Sequence, residues 1–531
     1  MDSKLKKFLY NPIGRHAGMI CAGIILLGSC AEGYESPSEF DAGVYNTQLV
    51  TPPSDSIRFV VNQAGDQATI SWPLVAGAKN YEVTFKNVDD PANPYVIDGL
   101  ENYLVDGSSL TVSVAEDSKY ELSMRVLADE SKGNKSDTVI VTNLTTLVPS
   151  VMTIPTGSDI TQYIIDNPID SMHIFREIAI DLEPNGEYTM SGPVDFQGQK
   201  MTFRGDKIYR PTVKMTGDAA LLSYSMLKVK YINFDLAEST SKGFMLVSNT
   251  NLPESLLGKN QPEKYSGSKF QGGNYMLEQP FYVAHCWFKD LPASFFHDNQ
   301  VNAAIWYLTI SDCIIQMSRG TTTLNRGNGE QAFISLEKKG IAIKHLVIEN
   351  STLFNIHDHS AYFLRYSNNS NSQAVKAFGE KNASYKEITT TFKNTTFSRM
   401  FSGGKWWNNT SGNGQKTYID HCIFHNMSPG QITRRITGEK TYKFNFWQGD
   451  GTDYTANDSQ PSPSPFAAYY PDIFSKTFDQ PLDFSQPNGG VDFTPEQNEV
   501  IKNRGGDPRW LPEVSDDDIQ DGTENETTTV E

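Results

Sequence analysis

The chain has 531 residues, a mass of 59.2 kDa and a formal net charge of −18 at pH 7. Its 38% hydrophobic and 11% aromatic content is enough for a sizeable core and excludes wholesale disorder. The balance of 45 Lys and Arg against 63 Asp and Glu argues against a simple nucleic-acid-binding protein, because phosphate contacts need clustered cations. Five cysteines are too few for a disulfide framework.

Residues 1–29 have the pattern of an export signal. Lys4, Lys6, Lys7 and Arg15 precede an apolar run at residues 17–27. This run is shorter than the roughly 20 residues that a membrane-spanning helix needs, although a single anchor helix stays open as an alternative. We therefore expect residues 1–29 to be a signal peptide.

The end of this segment, Leu27-Gly28-Ser29-Cys30, resembles a bacterial lipobox. The resemblance implies cleavage before Cys30 and acylation of Cys30, with palmitate among the chains, so that the protein is anchored in the outer membrane. Glu32 and Glu35 resemble the surface-export signal of Bacteroidetes lipoproteins and imply an outward-facing location. Residues 30–52 lack periodicity and predict a flexible tether after the lipidated cysteine.

Residues 53–148 contain short alternating strands that are separated by turns. Trp72, the "AKNYEVTF" segment and Tyr120, at the place of a tyrosine corner, make this region resemble a fibronectin type III domain. Modules of this kind bind many partners or none. A rigid spacer and a glycan-contacting domain therefore both stay open.

A motif recurs in the long region from residue 149 to residue 510. An apolar residue is followed by Asn, Asp or His near a strand end, then Cys, Ser or Thr, then apolar residues; the small residues stand at positions 286, 313, 351, 395 and 422. A near-constant motif with variable insertions predicts a solenoid, here a right-handed parallel β-helix. The small residue is predicted to stack inside, and the polar one to bond neighbouring backbone at a turn. Cys286, Cys313 and Cys422 should thus be reduced and buried, with no metal site.

Gly506-Asp507-Pro508-Arg509-Trp510 resembles the ending of the β-helical lipoproteins of Bacteroidetes polysaccharide-utilisation loci, whose C-terminal domains have no settled activity. The wider β-helix group includes pectate lyases and polygalacturonases. The resemblance implies polysaccharide as a partner, with a TonB-dependent importer complex as a further one. Residues 511–531 hold eight acids and no base, and predict a disordered tail.

Charge is distributed unevenly along the chain. Residues 338–443 contain 15 Lys and Arg but 6 Asp and Glu. Residues close in the sequence of a solenoid stay close in space, so one stretch of the β-helix should be basic. This predicts a polyanionic partner such as a uronic-acid or sulfated glycan, with a solvated charged face as the alternative.

Aromatic and cationic residues in predicted loops are candidates for glycan contact. An exposed indole suits stacking on sugar rings, and a nearby cation can pair with a carboxylate or sulfate. Local packing is the alternative for each. The candidates are Trp406, Trp407 and Lys405 in one Gly- and Asn-rich loop, Tyr362 and Arg365 in "SAYFLRY", and Arg319 and Arg326 in a further loop.

The sequence has no diagnostic catalytic motif. A lyase needs a base and a cationic group that stabilises an enolate, and His357, His359 and Arg365 could supply them. The absence of a signature favours a binding protein for glycan capture and uptake, with a β-helix polysaccharide lyase or hydrolase as the alternative. We expect no cofactor; related β-helix lyases often use Ca²⁺, for which this sequence gives no support.

Overall fold

The structure is a computed structural model that divides into two compact units, residues 1–147 and residues 148–531. The residues that it describes are 43–169, 175–265, 274–318, 332–336, 342–356, 362–366, 388–400, 407–408, 415–427, 439–448, 468–470, 472–476 and 478–513. The predicted signal peptide, Cys30 and most of the acidic tail lie outside these ranges. Among the described residues, no helix is both long enough and apolar enough to cross a membrane.

The first unit contains two antiparallel sheets that share one core. One sheet has the strand order β1-β2-β6, with β1 Arg58–Val61, β2 Gln67–Ser71 and β6 Ser109–Ser113. The other has β4 Tyr95–Val96, β3 Ala78–Asn87, β7 Lys119–Ala128 and β8 Ile140–Thr145 in that order, with β5 Tyr103–Val105 beside β3. Alternation along β3 and β7 buries every second side chain, as the sequence pattern predicts.

Two details of the first unit bear on the sequence predictions. The Tyr120 hydroxyl accepts a hydrogen bond from the backbone N–H of Ala115 at 2.7 Å, which is the upstream bond of a tyrosine corner. Leu49 is buried in the core, and the backbone N–H of Thr51 donates to the carboxylate of Asp137 at 2.6 Å. The structure therefore places residues 43–52 with this unit rather than with the predicted tether.

The second unit is a parallel β-helix, whose chain passes repeatedly through three parallel sheets. The first sheet comprises β9 Ser150–Ile154, β10 Ile178–Leu182, β13 Met201–Arg204, β16 Leu227–Lys230, β20 Phe281–Ala284, β23 Ala303–Ser311, β26 Ala342–Glu349, β29 Ile388–Lys393, β32 Gln415–Asp420 and β34 Glu439–Lys443, with β19 Tyr275–Leu277 beside β23.

The second sheet comprises β11 Glu187–Met190, β14 Thr212–Gly217, β17 Asn233–Ser239, β21 Trp287–Leu291, β24 Ile314–Met317, β27 Thr352–Asn355, β30 Thr396–Ser398, β33 Ile423–His425, β35 Phe446–Gln448 and β36 Ala468–Tyr470. The third comprises β12 Val194–Asp195, β15 Leu221–Ser223, β18 Gly243–Val247, β22 Ser294–His297, β25 Ile334–Ser335, β28 Leu364–Arg365 and β31 Trp407–Asn408. One core runs along the inside and is filled by side chains from all three sheets.

The recurrent motif forms the corner between the first and second sheets. Its Asn, Asp and His residues have left-handed backbones, with φ values of 55° at His285, 54° at Asp312, 48° at Asn350, 48° at Asn394 and 52° at His421. The small residue that follows each of them is fully buried, including the three cysteines, which are free thiols. The motif therefore occurs because each corner needs one residue that tolerates a positive φ and one that fits a narrow interior.

The corner corrects one detail of the prediction. His285 and Cys286 form a two-residue turn between strands. The corner side chains contact one another rather than only backbone. The Asn394 amide donates to Asn350 Oδ1 at 3.2 Å, and the His285 ring stacks on Tyr231 at 5.0 Å between centroids.

Residues 472–511 cover part of the outer face of the second sheet. Buried apolar residues of residues 472–511, Phe478, Phe493 and Trp510 among them, pack on Ile314, Phe354, Ile423 and Phe446. Gly506 has a φ of 86° and lies so close to Ile423 that a Cβ atom there would come within 2.7 Å of it. The "GDPRW" segment is thus a structural closure of the β-helix. The described residues of this unit also form two short α-helices, α1 Ile160–Asp166 and α2 Asn498–Lys502.

Candidate functional site

The outer face of the first sheet carries a row of polar and aromatic side chains at matching strand positions. Successive strands contribute Tyr307, His345, Thr389, Lys416 and Glu439, each paired with the next. Tyr307 is 41% exposed, and its ring stacks on the His345 ring at 5.1 Å between centroids. His345 Nδ1 lies 2.8 Å from Thr389 Oγ1, and Lys416 forms an ion pair of 3.4 Å with Glu439. The row therefore combines an exposed ring with fixed polar groups.

A second row runs beside it, two residues further along each strand. Its members are paired in the order Lys228, Tyr282, Thr309, Val347, Thr391, Tyr418 and Thr441, and each is half-buried. Parallel strands lie about 4.8 Å apart, so these seven positions extend over roughly 29 Å. We call the two rows together the outer face. Its length and its rings and hydroxyls suit an extended ligand that offers apolar ring faces and hydroxyl groups.

A third row follows at the ends of the same strands, and its charges alternate. Glu349, Lys393, Asp420 and Lys443 are paired in that order. Opposite charges on neighbouring strands attract one another, so the positive and negative charges of this row balance. Eight of the 15 cations of residues 338–443 lie outside the described residues. The predicted basic strip therefore stays a prediction.

Two predicted glycan-binding residues are brought together, but on another sheet. The Arg365 guanidinium lies 5.5 Å from the centroid of the Tyr362 ring, and Arg365 belongs to β28 of the third sheet. The backbone of Trp407 pairs with Leu364 there. Trp406, Lys405, Arg319 and Arg326 lie outside the described residues, as do the predicted catalytic residues His357 and His359. No group of three or more His, Cys, Asp or Glu side chains in the described residues could hold a metal ion.

Sequence reasoning missed the outer face. The later parts of the strands that form it do show alternation, with Tyr307 and His345 directly before the buried residues Leu308 and Leu346. The recurrent motif marks the strand ends, where residue types are restricted. Side chains that point outward two to four residues before a strand end can be of almost any type. Only the register between neighbouring strands aligns them in rows.

Two family models match the chain in sequence. Residues 4–190 match DUF4992, described as a domain of unknown function, and residues 186–356 match a second domain of unknown function, DUF4957. No curated protein sequence matches the chain.

Comparison with solved structures gives distant likenesses. The pectate lyase PelI from Erwinia chrysanthemi in complex with tetragalacturonic acid is 8% identical, with 76% of this chain and 88% of that chain aligned and a TM-score of 0.13. A mutant of the PL6-family alginate lyase AlyGC is 11% identical over 69% of this chain and 58% of that chain, with a TM-score of 0.18. A Family 28 exopolygalacturonase of Yersinia enterocolitica is 8% identical over 76% and 91%, with a TM-score of 0.17. At these TM-scores the similarities support no conclusion about this protein. The assignment of a β-helix is based on the strand pairing alone.

Proposed function

We propose that this protein binds a polysaccharide along the outer face of the first sheet. The observation that carries the proposal is the exposed ring of Tyr307, stacked on His345 within two rows of rings and hydroxyls. A sugar ring has an apolar face and a hydroxyl edge, so stacking and hydrogen bonds can act on it together. A rigid sheet holds these groups at fixed spacing and so lowers the entropy lost on binding.

The finer parts of the proposal come from the sequence. The excess of cations in residues 338–443 supports an acidic glycan, either uronic or sulfated. The lipobox at Cys30 supports a surface lipoprotein of the outer membrane that captures glycan for a TonB-dependent importer, as in a polysaccharide-utilisation locus of Bacteroidetes. In this proposal the first unit is a fibronectin type III-like spacer, and the β-helix is right-handed.

A second candidate function is a lyase that acts on the same acidic glycan. The observation in its favour is an imidazole beside a phenol on the outer face, because both groups serve as proton donors and acceptors in such reactions. His357, His359 and Arg365 are the other candidates for this role.

Affinity electrophoresis of residues 31–531 in gels that contain acidic or neutral polysaccharides tests the proposal, with absorbance of unsaturated uronate read in parallel. Acidic polysaccharide should retard the protein, and added salt should weaken the retardation. Tyr307→Ala should reduce it. Tyr103→Ala removes a ring of similar exposure, 45%, from the first unit and should not. Product absorbance would make the lyase correct, and no retardation by any polysaccharide would overturn the proposal.

The predicted loop and anchor residues are tested separately. Alanine variants show whether these side chains contribute to retardation. The variants are the double change of Trp406 and Trp407 and the single changes of Tyr362, Arg365, Lys405, Arg319 and Arg326. In cells, Cys30→Ala should abolish incorporation of labelled palmitate and release the protein from the outer membrane. Labelling that persists in this variant would contradict lipidation at Cys30.

A further inference from the structure

Arg210 occupies an unusual position at the start of the second sheet. Its guanidinium lies 4.6 Å from the centroid of the Trp287 ring, and the side chain is half-buried. Within the described part of the chain, Arg210 has neither a hydrogen bond nor a carboxylate partner, whereas Arg204, Arg125 and Arg509 each pair with an acid. A guanidinium carries five N–H donors, so this one has donor capacity that the protein leaves unused.

Two polar side-chain atoms at paired positions of the second sheet are buried without a partner among the described residues. They are the indole Nε1 of Trp287 and the side-chain Oδ1 of Asn233. Asn233 is 5% exposed and is the strand partner of Trp287. Its backbone N–H donates to the carbonyl of Pro211, the residue after Arg210, at 2.9 Å. Buried polar atoms are nearly always satisfied in folded proteins, so two unmet atoms on paired residues, with the Arg210 guanidinium over the ring of one of them, indicate an incomplete site.

The charge around this site is positive. Burial lowers the pKa of Arg210, and the charge of Arg509 lowers it further. The nearby His285 also has a lowered pKa, first because of burial; Asp312 acts to raise this pKa, and Arg210, Lys230 and Arg509 act to lower it. Arg509 itself is held by Asp507 at 2.9 Å and by the carbonyl of Asp312 at 2.9 Å. Arg210, by contrast, has no acid partner among the residues that the structure describes.

We propose that Arg210, Trp287 and Asn233 form a binding site for the carboxylate of a hydroxy acid, of which sugar acids are one class. The guanidinium can donate two parallel hydrogen bonds to the two oxygens of a carboxylate, and the indole N–H is a further donor. Asn233 Oδ1 is an acceptor and can take a hydroxyl of the same ligand. The site lies in the outer row of the second sheet, where Trp287 pairs with Ile314 and packs against the apolar cluster that includes the C-terminal residues. It is therefore separate from the outer face of the first sheet.

The indole N–H of Trp287 reports directly on this site. Residues 31–531 labelled with [¹⁵N]tryptophan should give seven indole signals, and Trp287→Phe assigns the one from Trp287. Sodium glucuronate at constant ionic strength should move this signal in a saturable manner, because a buried donor gains an acceptor. Glucose should leave it in place. Arg210→Met should lower the affinity about tenfold or more, since a charge-assisted hydrogen bond is lost.

Arg58→Met is the matched control, because it removes the same charge from an exposed arginine of the first unit and should leave the affinity unchanged. If Arg210→Met does not fold, Arg210→Lys keeps the charge without the fork and should still weaken binding. No movement of the Trp287 signal, equal movement in the Arg210 variants, or equal movement with sodium sulfate would each overturn the carboxylate site. Polysaccharide retardation through Tyr307 is a separate measurement, so either proposal can fail alone.

Discussion

The indole Nε1 of Trp510 donates a hydrogen bond to Thr352 Oγ1 at 2.7 Å, and so joins the end of the described chain to the middle of the second sheet. The same Thr352 hydroxyl donates to Asp507 Oδ2 at 2.8 Å. Both partners are buried. One hydroxyl therefore satisfies two groups of the closing segment.

Thr352→Val should destabilise the second unit by about 2–3 kcal/mol, because it leaves a buried carboxylate and a buried N–H without this partner. Thr390→Val is the matched control. Thr390 is also fully buried in a strand, but its hydroxyl has no partner in the described part of the chain, so the change should be nearly neutral. Urea unfolding of both variants measures the difference. Equal losses of stability in the two variants would contradict the role of Thr352.

The corner was the most predictable part of the fold, for a physical reason. A left-handed residue and a narrow interior each restrict residue type, and so they leave a motif in the sequence, as at Asn394 and Thr395. The outer face could not be found in this way. The stacking of Tyr307 on His345 depends on which strands are neighbours and in what register, and neither residue is restricted by its backbone. The "GDPRW" segment can be found in the sequence only as a short motif. Its burial cannot be predicted, because it depends on contacts with residues about 150 positions away in the chain.

Asn394 tests the corner directly. Asn394→Ala should cost about 1–2 kcal/mol, because a residue with a Cβ and no local hydrogen-bonding group is strained at a φ of 48°, and the bond to Asn350 is lost. Asn394→Gly should cost less, since glycine removes the strain but not the lost bond. Thermal unfolding of the two variants shows which of them is more stable. A glycine variant that is less stable than the alanine variant would rule out backbone strain as the cause.

The three thiols of the β-helix should be inert. Burial raises the pKa of the Cys286 thiol to about 12, and it raises the pKa of Cys313 and Cys422 well above the usual value. Because the thiolate is the reactive form, iodoacetamide at pH 8 should not modify folded protein that begins at residue 31, which contains these three cysteines alone. In urea all three should react. Modification of the folded protein, detected by intact mass, would show that the corner opens.

His425 should make the second unit sensitive to acid. Burial, and to a smaller extent the charge of Arg399, lower the pKa of His425 to about 4. The unfolded state therefore binds more protons between pH 6.5 and pH 4, and stability falls as the pH falls through this window, by up to about 3 kcal/mol. In His425→Gln this contribution should vanish. Urea unfolding at several pH values gives the wild-type minus variant difference, which should decrease towards low pH.

Protonation of Asp507 should have the opposite effect on the stability of the second unit over nearly the same pH range. Burial raises the pKa of its carboxyl to about 6, although Arg509 and the Thr352 hydroxyl favour the charged form. The folded state then binds more protons between pH 3.8 and pH 6, so stability should rise as the pH falls through this range. In Asp507→Asn that gain should be absent, and the wild-type minus variant difference should increase towards low pH. The two variants control for each other, because a general effect of acid on the fold would give both differences the same sign.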